Sequence, residues 1–133
     1  VKNPLALWAA FLAILIVGSK PAKSETVSSV YDGDTFTTST GEKVRLACID
    51  TPEMKNTAKK KADKPAAIAA RDYLKSLIGT ADLTIERVQT DLYGRTVARV
   101  YTPDGKELSR EMYLSGHAQL FTGYTKPCPW TQQ

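Results

Sequence analysis

The sequence predicts an α+β, mainly β fold: a five-stranded Greek-key barrel of the OB type with two or more helices packed on it. Three observations lead there. Short β-type runs come in the order β-β-β-α-β-β-α, turn dipeptides punctuate them, and a glycine follows each of two helical stripes.

Residues 26–31 are β-branched and apolar, Asp32-Gly33 is a turn dipeptide, and residues 34–38 resume with threonine and phenylalanine. Thr40-Gly41 turns the chain again into a third strand over residues 43–49. Pro52 stops that strand, because proline offers no ladder donor and pushes Thr51 toward an extended backbone. Residues 54–64 are polar and lysine-rich and read as a mobile loop. Pro65 suits the first turn of a helix to Ile78, whose apolar stripe is Ile68, Tyr73, Leu74, Leu77 and Ile78, with Gly79 as its stop. Residues 83–88 alternate as a fourth strand, and residues 95–101 form a fifth after a loop. Pro103-Asp104-Gly105 is a turn, a second helix spans residues 107–115, and Gly116 caps it. The tail, residues 127–133, carries Pro127 and Pro129 and reads as irregular.

A chain of 133 residues with 42% hydrophobic content fits one domain able to bury a core. The reading places it at residues 25–126. Residues 5–17 are uncharged and nearly all apolar, the length of a signal-peptide core and shorter than a membrane span needs. Residues 1–24 are therefore expected to be a signal peptide, cleaved before Glu25, or an N-terminal membrane anchor. The protein is expected to be exported, secreted or periplasmic, and monomeric. The formal charge is +4, from 18 Lys+Arg against 14 Asp+Glu; Lys2, Lys20 and Lys23 precede Glu25, leaving 15 against 14. Overall basicity thus says little about a polyanionic partner. Local clustering says more, since Lys55, Lys59, Lys60, Lys61 and Lys64 fall close together, either as a solvated loop or as a lure for a polyanion. Cys48 and Cys128 permit a disulfide in an exported protein; alternatively, Cys48 is a small buried hydrophobe.

Asp34, Asp50 and Glu53 stand at strand ends, the oxygen-rich setting a hard cation such as Ca²⁺ requires. One histidine and no CxxC spacing argue against softer metals. Arg45 and Arg95 add forked donors suited to phosphate oxygens. A cation, a basic carboxylate and two arginines make a kit for hydrolysing a phosphodiester. Strict alternation puts Arg45 and Asp50 on opposite faces of a flat strand, so the chain must bend near Ile49 for them to meet. His117, just after the second helix, reads as a packing residue.

The motifs YDGDTF, VRLACIDTPE and LYGRTVARVY, in this order, resemble the staphylococcal nuclease (thermonuclease) family over residues 27–124. The resemblance implies an OB barrel and a Ca²⁺-dependent, nonspecific nuclease acting on DNA and RNA, single-stranded or denatured by preference, and leaving 3′-phosphate ends. It implies Asp34 and Asp50 as Ca²⁺ ligands with the Thr51 carbonyl, and Glu53 as the residue that holds and deprotonates the attacking water. Arg45 and Arg95 would bind the scissile phosphate, Tyr93 a terminal phosphate, and Tyr124 would stack on a base. Two alternatives stand beside it: a noncatalytic OB module that binds nucleic acid, and an exported domain with a structural calcium site. The first predicts losses among Asp34, Arg45, Asp50, Glu53 and Arg95, and all five are present. The second leaves the arginines without a role.

Overall fold

The computed structural model describes residues 24–132; the proposed leader core, residues 5–17, lies outside the described residues. Eight strands, two helices and a short 3₁₀ turn follow in order: β1 Ser24–Glu25, β2 Val27–Val30, β3 Thr35–Thr38, β4 Lys43–Leu46, β5 Ile49–Asp50, α1 Lys64–Ile78, β6 Leu83–Thr90, β7 Thr96–Tyr101, α2 Leu108–Leu114, β8 Gln119–Leu120 and the turn Pro129–Gln132.

Six strands form one sheet in the order β1-β6-β7-β4-β3-β2, all antiparallel except β4 against β7. Only Thr26 separates β1 from β2, so the two outer strands are neighbours along the chain. A sheet whose edges are joined by one residue must curl, and the result is the barrel expected from the sequence. Phe36, Val44, Leu46, Ile49, Leu83 and Val100 fill it, and Leu74, Leu108 and Met112 of the helices close it, all without solvent exposure. Burying each such side chain contributes about 1.5–3 kcal/mol.

The third strand differs from the expectation. β4 ends at Leu46, and β5 leaves the sheet to pair with β8, Ile49 opposite Leu120 and Asp50 opposite Gln119. The corner between them lies at Ala47-Cys48, where Cys48 has φ +74°, a value L-residues seldom adopt. Every carbonyl through the corner is bonded. Arg45 Nη1 donates to the Leu46 and Ile49 oxygens at 2.6 and 2.7 Å, Ser109 Oγ of α2 to Ala47 at 2.8 Å, and the Phe121 N–H to Cys48 at 2.8 Å. Complete pairing holds an unfavourable backbone angle in place.

α1 begins where Asp63 accepts from the Ala66 N–H, and it stops at Gly79, φ +53°. Residues 51–63 have no regular structure, but internal hydrogen bonds cross the segment. Asp63 N–H donates to the Glu53 carbonyl at 3.1 Å, and Ala62 N–H donates to Asn56 Oδ1 at 2.8 Å. The tail is more ordered than expected, because Cys48 and Cys128 are disulfide-bonded and Trp130 packs on the core. Among the described residues, no helix is long and apolar enough to cross a membrane.

Candidate active site at the β4–β5 corner

Asp34 follows the Asp32-Gly33 turn. A Cβ on Gly33 would stand 2.7 Å from Ala70 Cβ and 3.0 Å from Thr51 Cβ, so glycine is what lets this turn lie against α1 and the start of the loop. The Asp34 carboxylate is nearly fully buried. Thr35 Oγ1 donates to its Oδ1 at 2.9 Å, and the Thr51 N–H and Oγ1 donate to Oδ2 at 3.2 and 3.0 Å. Arg45 Nη2 lies 3.5 Å from Asp34 Oδ2 and 3.7 Å from Asp50 Oδ1. The corner therefore does what flat-strand geometry forbids, bringing Arg45 and Asp50 to one place.

Glu53 is half-buried beside this group. Its carboxyl is pushed above the usual range by burial first and then by Asp34 and Asp50, with Lys60 and Arg45 pulling the other way. Asp32 is pushed to about 7 by burial and by Asp34, so its carboxyl holds a proton well above ordinary carboxylate values.

The arrangement departs from three converging carboxylates. Among the described residues, no three His, Cys, Asp or Glu side chains gather closely enough to hold an ion. Arg45 stands between Asp34 and Asp50 instead, and Lys60 is bonded to Asp50. What remains is two carboxylates and the Thr51 carbonyl, an all-oxygen set suited to a hard cation that keeps water ligands. A cation already marks the place: Lys60 Nζ lies 2.9 Å from Asp50 Oδ2 and 2.8 Å from the Thr51 oxygen. The donor set fits Ca²⁺.

Arg95 sits on the neighbouring hairpin. Its Nε donates to Asp91 Oδ2 at 2.7 Å, and Asp91 Oδ1 also accepts from the N–H groups of Tyr93 and Arg95. The guanidinium reaches Thr35 Oγ1 at 3.5 Å and lies 5.4 Å from the exposed Tyr93 ring. Tyr124 is half-buried against Ala47, Val97 and the disulfide. Arg45, Lys59, Tyr93, Arg95, Phe121 and Tyr124 line one cleft of about 300 Å³. His117 stacks on Tyr73, centroids 4.7 Å apart, and lines a separate cavity of about 230 Å³ behind Asp50.

Sequence reasoning passed over four residues here: Asp32, Lys60 as an individual, Asp91 and Phe121. Asp91 was findable, because an aspartate two residues before Tyr93 and four before Arg95 is an Asx-turn signal. Phe121 was not, since its place over Arg45, 5.9 Å from centroid to Cζ, depends on β8 returning to the corner.

A curled β barrel carrying buried acids, a bridging arginine and an aromatic-rimmed cleft defines an OB-like barrel with a charged cleft at its rim. The chain belongs to the family described as staphylococcal nuclease homologue, whose family model matches residues 43–133. It is 33% identical over 101 residues to an uncharacterized endonuclease of Escherichia coli and to its counterpart in Escherichia coli O157:H7, covering 74% of this chain and 61% of either relative. It is also 30% identical over 105 residues to Endonuclease YhcR of Bacillus subtilis (strain 168), covering 71% of this chain and 9% of that protein. The alignment thus spans about three-fifths of the Escherichia coli relatives.

Proposed function

We propose that this protein is a calcium-dependent, nonspecific nuclease that hydrolyses DNA and RNA to 3′-phosphate ends. The observation that carries the reading is the corner itself: Arg45 spans Asp34 and Asp50 while Glu53 stands beside them with a raised carboxyl pKa. The endonuclease names of the relatives support the nuclease part of it.

Asp34, Asp50 and the Thr51 carbonyl would hold the ion, which when bound supplies positive charge to a phosphoryl oxygen. Glu53 orients a water and takes its proton; a base with a raised pKa is better matched to neutral pH than an ordinary carboxylate. The water oxygen bonds to phosphorus and the bond to the 5′ oxygen breaks, leaving a 3′-phosphate and a 5′-hydroxyl. Arg45 and Arg95 offer fixed donors to charge developing on the phosphate, and Arg95 also serves the departing oxygen. Phe121 and Tyr124 give faces on which any unpaired base can stack, which supports single-stranded substrates and low sequence preference, and Tyr93, beside the Arg95 guanidinium, would meet a terminal phosphate. The disulfide suits an oxidising compartment and supports export.

The test is cleavage of denatured DNA by the chain and by Glu53→Gln, each with Ca²⁺ and with chelator. Calcium-dependent cutting that falls about 100-fold or more in the variant is expected for loss of a general base. Intact DNA from a folded protein in the presence of Ca²⁺ would refute the nuclease reading.

A further inference from the structure

Lys60 is the one member of the 55–64 lysine run that pairs with an acid among the described residues. Its ammonium bonds both Asp50 Oδ2, at 2.9 Å, and the Thr51 carbonyl, at 2.8 Å. Those are two of the three groups assigned above to the ion. A divalent cation held by the same two oxygens would stand against the ammonium, and repulsion between the two positive charges makes them exclude one another.

The side chain is also delivered there by a built loop. The Lys60 N–H donates to Thr57 Oγ1 at 3.0 Å, and the Lys60 carbonyl accepts from the Thr57 N–H at 2.8 Å. The Asp63-to-Glu53 and Ala62-to-Asn56 bonds close the turns around it. Lysine on such a frame is presented to the acids at high local concentration.

We propose that Lys60 is a tethered cation that fills the ion position while no divalent ion is bound, and that Ca²⁺ enters by exchange with it. Lys60 thereby sets the calcium concentration at which the site loads. This rests on the reading of Asp50 and Thr51 as ion ligands. In the metal-free protein the ammonium neutralises Asp50 on the side away from Arg45's contact with Oδ1; in the loaded protein the ion would do so, and Lys60 is released to the rim of the cavity shared with Lys61 and Asp63. Apparent affinity falls by the fraction of molecules in which the position is open. Occupancy of about 90–99% by Lys60 corresponds to about a tenfold to hundredfold weaker apparent Kd.

Calcium titration calorimetry on the full chain, without nucleic acid, tests this directly. Lys60→Met, which keeps the stem and removes the charge, is expected to bind Ca²⁺ about tenfold to hundredfold more tightly. Its metal-free Tm should fall, and its gain in Tm on adding Ca²⁺ should exceed that of the wild type. Lys55→Met, an equal loss of charge on an exposed residue of the same loop, should leave the affinity within about twofold, since separated surface charges are screened. If Lys60→Met is unfolded without the ion, Lys60→Gln provides the same comparison with a polar group retained. Equal or weaker binding in the Lys60 variants, or an equal gain in Lys55→Met, overturns the exchange and leaves the calcium reading standing. No binding by any form overturns both.

Discussion

Removing the Cys48–Cys128 bridge should cost the fold about 4.5 kcal/mol. The two cysteines are 80 residues apart in sequence, and a cross-link closing so long a loop removes about 15 cal/mol/K from the denatured chain, worth about 4.5 kcal/mol at 25 °C. Cys48→Ala/Cys128→Ala is the suitable variant, because both positions are buried and serine would add an unpaired hydroxyl. For a domain of this size, the loss corresponds to a Tm lower by about 20–30 °C. Urea unfolding reads it twice. The free energy in water should fall by about this amount, and the slope against urea should rise, because an uncross-linked denatured chain exposes more surface. Wild-type protein reduced with a thiol should follow the variant curve. A loss under about 1 kcal/mol with an unchanged slope would refute the reasoning, for it would mean that the bridge does not restrict the denatured chain.

Asp91→Asn keeps an oxygen for the Tyr93 and Arg95 N–H groups but removes the charge paired with Arg95 Nε; kcat should fall about tenfold to hundredfold with Tm nearly unchanged, the cost of one charge-assisted bond. An unchanged kcat would show that Arg95 needs no anchor. Asp32 gives a pH dependence in chelator. Its folded pKa, about 7, lies above the ordinary 3.8, so the folded state binds the proton more tightly and stability falls as pH rises from about 4 to about 7, then levels off. The fall should be on the order of 2–4 kcal/mol and absent in Asp32→Asn, as followed by urea unfolding at pH 5 and pH 8; equal slopes in both proteins would exclude it.

Much of the barrel was legible because its signals are local. Asp32-Gly33, Pro52, Gly79 and Gly116 mark real turns and stops, and Pro65 ahead of the stripe from Ile68 to Ile78 predicts α1 within a residue of its start. The break of the third strand was legible only as a requirement, since Arg45 and Asp50 could not share a face without one. Its position at Ala47-Cys48 was not, because Ser109, Phe121 and Cys128, distant in sequence, fix it. The candidate acids and Arg45 could be named from strand ends, yet their spacing could not. Lys60 shows the reason: one lysine in a run of five is chosen by a hydrogen bond to Thr57 that composition does not encode.

The carbonyls from Leu46 to Ile49 are held by a side chain of the strand itself, by a helix and by the segment after β8. The motif VRLACIDTPE is consequently not portable. Grafted onto another barrel without partners equivalent to Ser109 and Phe121, it would carry every reactive group and lose the angle between them. Mutational searches for chemistry in this protein will, for the same reason, return residues such as Ser109 that never meet a substrate.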